Sequence, residues 1–143
     1  MNVLKNRYLL FFVRIVLGGL FIYAAVPKIA DPFLFSVQLY NYRLLPVPLV
    51  GLVAAVLPWV EFAVGMLLVV GFKPRAASCI VSCLLTIFTL ALFINTLRGI
   101  DVECGCFAAE RFIGWQSLVE DGLLTAVSFW YFICADSFLC IRA

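Results

Sequence analysis

Cys104 and Cys106, separated only by Gly105, lie in the polar stretch 98–107 between two long apolar runs. Two thiols so close can close into a disulfide, attack the disulfide of another protein, or accept attack from its thiolate. One intervening residue makes the closed ring smaller than that of a Cys-x-x-Cys pair, and strain makes a disulfide easier to reduce. Gly105 widens the backbone angles open to such a ring. The surrounding charges pull in opposite directions: Arg98 and Arg111 favour a thiolate, whereas Asp101, Glu103 and Glu110 oppose one. Arg98, Asp101 and Glu103 are therefore supporting residues of a candidate catalytic pair, Cys104 and Cys106. Two other chemistries fit the same residues. One is a permanent structural disulfide. The other is a metal site, which would need two more ligands from Asp101, Glu103 or distant cysteines, since the chain has no histidine. A homo-oligomer is compatible with the chain, and a dimer would pool four thiolates. The expectation from the residues is redox work with no metal.

The elements that must hold this pair are set by composition. Hydrophobic residues make up 66% of the 143 residues, charged residues only 13%, and the mean hydropathy is +1.15. These values exclude a soluble globular domain. A bilayer-spanning helix needs about 20 apolar residues, and four runs qualify, at about 8–26, 48–72, 76–97 and 117–133. Their length and all-round apolarity exclude the ten-residue alternation of a membrane β-barrel. The expected fold is an all-α membrane protein, a four-transmembrane-helix bundle forming one domain over 1–143. Pro27 and Pro32 are expected to close the first helix, Pro46 and Pro48 to open the second, and Pro74 to sit in the turn before the third. Only Pro58 is expected inside a helix. Ser117-x-x-Glu120 reads as a capping box at the start of the fourth, with Asp121 adding negative charge to its first turn. The first run is longer than a signal core, and Pro27-Lys28 follows it instead of a small-residue cleavage site, so it is expected to be retained.

Four charges fall within or at the edge of these runs: Arg14, Lys28, Glu61 and Asp121. A charge at the bilayer centre costs at least about 2.5–3.5 kcal/mol, so they should face inward and pair. An Arg14–Glu61 pair is geometrically open, either as a clasp fixing helix register or as a site for a proton or a quinone headgroup. Lys28, close to four turns after Arg14, falls near the same face at the outer end, where Asp121 can meet it. Ser78, Ser82, Thr86 and Thr89 make one stripe of small hydroxyls and mark a helix contact. Cys79, Cys83, Cys134 and Cys140 are expected to pack as small hydrophobes.

Orientation follows the Lys and Arg near the helix ends. Lys5, Arg7, Lys73, Arg75 and Arg142 lie on one side, with Lys73 and Arg75 crowded into a short turn; Lys28, Arg43, Arg98 and Arg111 lie on the other. Both termini are therefore expected in the cytoplasm of a multi-pass protein of the cell (inner) membrane, and the Cys104–Cys106 loop outside, where disulfides persist. The partners expected are the lipid bilayer and another thiol protein, not nucleic acid.

Arg14 followed by Gly18-Gly19, Phe21 and Lys28, then Pro58-x-x-Glu61-x-x-x-Gly65, Gly71 and Arg75-Ala76, then Asn95-x-x-Arg98-Gly99-x-Asp101 leading to Cys104-Gly-Cys106-Phe107, and Trp115 to Asp121, together resemble the MauE/DoxX group of small membrane proteins. Ala108 departs from the glycine that many relatives carry after Cys-Gly-Cys-Phe. The resemblance implies a four-helix bundle acting in extracytoplasmic thiol redox chemistry, alongside a thioredoxin-like protein, in maturation of methylamine dehydrogenase. A quinone that recycles the pair is compatible with this, although phenylalanines in lipid-facing helices give it no support of their own. The competing reading is a non-enzymatic assembly scaffold or a small-molecule permease whose intramembrane charges line a cavity.

Overall fold

The computed structural model describes residues 7–99 and 115–142, with side chains through Cys134. Five helices follow one another: α1 (Arg7–Ala30), α2 (Pro32–Asn41), α3 (Val47–Val70), α4 (Pro74–Leu97) and α5 (Trp115–Arg142). All but α2 are long and apolar enough to cross a membrane. Their lipid-side surfaces stay rich in exposed Phe, Leu, Val and Ile, which in a bilayer is the solvated state.

Two expectations about proline are corrected. Pro27 lies inside α1, which runs on to Ala30; near a helix end, little helix remains for the missing N–H to disrupt. Pro32 opens a helix instead of closing one. Asp31 caps α2, its Oδ1 accepting from the Leu34 N–H at 3.0 Å, and Pro32 occupies the first position, where its missing N–H costs nothing. At ten residues α2 is too short to register as a span, and the four-run reading passes over it. Pro46 and Pro48 open α3 as expected, and Pro58 lies inside it. The capping-box reading also fails: α5 already includes Trp115, so Ser117 lies within the helix.

Helix α3 stops at Gly71, whose φ of 81° is left-handed and whose N–H donates to Leu67 O at 2.9 Å. The chain turns through Lys73, also left-handed at φ 43°, into Pro74 at the start of α4. This tight turn fixes α3 and α4 as antiparallel neighbours.

Helices α1 and α3 touch backbone to backbone. A Cβ on Gly18 would meet Gly65 O at 2.8 Å, and one on Gly65 would meet Gly18 O at 2.9 Å. Only glycine permits that approach, the small-residue contact typical of helices packed in lipid. Around it Leu17, Phe21, Val64, Leu68, Ala77, Val81, Leu85 and Tyr131 form the main apolar core. A second cluster, Phe35, Leu39, Val50 and Ala54, fastens α2 to the first half of α3.

The hydroxyl stripe of α4 meets α5, as expected. Ser82 Oγ lies 3.2 Å from Ser128 Oγ, and Thr89 Oγ1 lies 2.9 Å from Thr125 Oγ1. Ser78 and Thr86 donate to carbonyls of their own helix. Cys134 is buried, but Cys79 and Cys83 are exposed, so packing inside the bundle is corrected for these two. Cys83, one residue after Ser82, the position that faces α5, is turned about 100° around the helix from it.

Candidate functional site

The α1 and α3 register set at Gly18 and Gly65 determines which charges meet. Arg14 comes to rest beside Gly71, ten residues along α3 from Glu61, or about 15 Å of helix. The Arg14–Glu61 pair is thereby ruled out. Glu61 is held instead by Lys28, whose Nζ lies 3.0 Å from both Oε1 and Oε2. Lys28 sits in the last turn of α1, and its four-carbon stem carries the ammonium back into the bundle. Both partners are almost completely enclosed, at 5% and 2% exposure.

Two aromatic rings cover the ammonium. Phe35 of α2 has its centroid 5.0 Å from Lys28 Nζ, and Phe88 of α4 lies at 5.2 Å, both within cation–π range. Helix α2, absent from the sequence reading, thus supplies one wall. Asp121 of α5, 3% exposed, closes the cluster from the fourth side. Its Oδ2 lies 3.0 Å from Thr89 Oγ1, and Thr125, one turn on, donates to the Asp121 carbonyl at 2.8 Å. Lys28, Glu61 and Asp121 line one cavity of about 30 Å³, with Leu17, Phe21, Phe88 and Leu124 among its apolar walls. That volume holds about one water molecule.

The cluster assembles three of the four charges singled out in the sequence. The fourth, Arg14, lies apart: its guanidinium packs against Gly71 and over the Phe11 ring at 5.0 Å, and its Nε has no hydrogen-bond partner among the described residues. Lys28 and Asp121, expected near one another at the outer end, border the same cavity, but the ion-pair partner of Lys28 is Glu61. Thr125 and Phe35 were missed. Thr125 stands four residues after Asp121, a spacing that alone places both on one helix face, whereas Phe35 had no signal without α2.

At the end of α4, Asn95 is wholly buried; its Nδ2 donates to Ala91 O at 3.0 Å, and its Oδ1 has no partner among the described residues. Arg98 is the exposed C-cap of α4. Asp101, Glu103, Cys104 and Cys106 lie outside the described residues. No group of metal-ligating side chains occurs among the described residues.

The family model for methylamine utilization protein MauE matches residues 6–134. The chain belongs to the MauE family. Among relatives named methylamine utilization protein MauE, that of Paracoccus denitrificans is 37% identical over 118 residues, covering 80% of this chain and 63% of the relative. That of Paracoccus versutus is 33% identical over 130 residues, covering 89% and 70%. The Methylophilus methylotrophus protein is 35% identical over 96 residues, covering 66% and 48%. This chain thus spans about half to two thirds of the length of the MauE relatives it matches. No solved structure matches it. The MauE match extends from the start of α1 into α5, so it takes in all three charges of the cluster and the cysteine pair.

Proposed function

We propose that this MauE-family chain is a multi-pass membrane protein of methylamine utilisation, supporting thiol–disulfide exchange outside the cytoplasm through Cys104 and Cys106. Its partner is a soluble thioredoxin-like protein. The observation that carries the reading is the Cys-Gly-Cys spacing in the segment joining α4 to α5. Helix α4 ends and α5 begins at the bundle end that holds Lys28 and Asp121. The family's link to methylamine utilisation supports the pathway.

Both termini lie in the cytoplasm. Nine basic residues near the helix ends divide five against four, and the four include Lys28. Lys28 is buried and bound to Glu61, so it is not a loop charge. Striking it out leaves Arg43, Arg98 and Arg111 against five, which sharpens the bias toward an outward-facing cysteine segment.

In the exchange, the thiolate of one cysteine attacks the partner's disulfide, forming a mixed disulfide and releasing a partner thiolate. The second cysteine then attacks the sulfur of the first, closing the Cys104–Cys106 bond and freeing the partner's second thiolate. Two electrons pass to the partner, and the same steps run in reverse. Cys104→Ser and Cys106→Ser test this. At least one should accumulate a reductant-sensitive adduct with a thioredoxin-like protein on non-reducing gels. Absence of any adduct from both variants, with methylamine-dependent growth intact, would refute the exchange and favour an assembly scaffold. A permease reading finds little support in the charged cavity, whose volume suits a water and not a solute.

A further inference from the structure

Among the described residues, the cluster within the bundle does not balance its charge. Lys28 brings one positive group, Glu61 and Asp121 bring two carboxylates, and all three line the same small cavity. The four helices around it are α1, α3, α4 and α5. Of these, α1 supplies Lys28, α3 Glu61 and α5 Asp121, while α4 brings the neutral Leu85 and Phe88 to the cavity and the neutral Thr89 to Asp121. Helix α2 adds the neutral Phe35. With both carboxylates ionised, the enclosed cluster carries an uncompensated negative charge in a low-dielectric setting, which is costly. Glu61 has its counter-ion at 3.0 Å through both oxygens. The excess therefore falls on Asp121.

The hydroxyl protons around Asp121 are too few for a carboxylate there to fill every contact. Thr89 Oγ1 makes three short contacts: Leu85 O at 2.8 Å, Asp121 Oδ2 at 3.0 Å and Thr125 Oγ1 at 2.9 Å. Thr125 Oγ1 makes one more, to Asp121 O at 2.8 Å. Each hydroxyl carries a single proton. If Asp121 is a carboxylate, two protons must serve these four contacts. If Asp121 carries a proton on Oδ2, it donates to Thr89, Thr89 donates to Leu85 O, and the Thr125 proton remains for Asp121 O or Thr89. Three contacts are then satisfied at once, with no donor asked to serve twice.

We infer that Asp121, hydrogen-bonded to Thr89 and lining a water-sized cavity together with the Lys28–Glu61 pair, forms an intramembrane proton-binding site in which Asp121 is the neutral acid. The ligand is a proton, exchanged through a single water in the cavity. Lys28 and Glu61 remain a closed ion pair, and Thr89 is the acceptor that holds the Asp121 proton in place. This site stands independently of the cysteine pair.

Infrared spectroscopy of the full-length protein in nanodiscs tests it, because a protonated carboxyl has a C=O stretch well separated from carboxylate bands. At neutral pH the wild type should show such a band, shifted by carboxyl-¹³C-labelled aspartate and by deuterium oxide. D121N should abolish it. T89V should move it to higher frequency, since its hydrogen bond is lost. The double variant K28M/E61M, which removes the ion pair together with any strain of breaking it, should keep the band. No aspartate-sensitive band in the wild type, or one that survives D121N or ignores T89V, would overturn the assignment.

Discussion

Two cations sit among these apolar helices, and they are housed in opposite ways. Lys28 is 5% exposed, grips both oxygens of Glu61 and lies between two phenyl rings. Arg14 is only half-buried, lies against the glycine that ends α3 and leaves its Nε without a hydrogen-bond partner among the described residues. A charge enclosed at the meeting of five helices must bring its counter-ion with it. One beside a helix terminus can rest against free carbonyl ends and reach toward the headgroups. The enclosed site is therefore the one whose parts depend on each other.

The largest effect that would break this contrast is Glu61→Gln. It leaves the Lys28 ammonium buried opposite a neutral amide, and loss of one member of a buried pair costs about 3–5 kcal/mol. Denaturant unfolding in mixed micelles should show that loss, and replacing Lys28 as well should restore much of it. Gly65→Ala comes next. Its methyl would meet Gly18 O at 2.9 Å and Ile22 Cγ1 at 2.9 Å, so α1 and α3 must separate, at about 1–3 kcal/mol, and the same unfolding assay reads it. Because the Gly18–Gly65 contact sets the register that delivers Lys28 to Glu61, this variant should also weaken the ion pair. The smallest effect expected is that of Arg14→Met, under about 1 kcal/mol, because the half-buried guanidinium has no ion pair among the described residues to lose. A cost equal to that of Glu61→Gln would erase the distinction between the two cations.

The sequence makes the spans legible because bilayer length and apolarity leave few alternatives. It also marks Arg14, Lys28, Glu61 and Asp121 as inward-facing charges. The pairing was not legible. Both Arg14 and Lys28 can be drawn facing Glu61 on a helical wheel, and only the backbone contact of Gly18 with Gly65 decides between them. Helix α2 was hidden for a different reason: Pro32 ends one helical reading while opening another, and Asp31 before it is as much a cap as a loop residue. Ser117 and Glu120 have capping spacing, which offers Asp121 a second role in a first helical turn, although α5 already includes Trp115. Local motifs can be satisfied within a continuous helix, and tertiary contacts then give their residues other work.

The most direct test of the proposed function uses a variant in which Cys79, Cys83, Cys134 and Cys140 are replaced by alanine, leaving Cys104 and Cys106. Intact cells are treated with a membrane-impermeant maleimide before and after mild reduction, in the presence and absence of methylamine. The account predicts that both thiols are reached from outside, that reduction uncovers a fraction otherwise oxidised, and that this fraction changes with growth condition. Labelling only after the cytoplasmic face is opened, or an oxidation state that never changes, would contradict it.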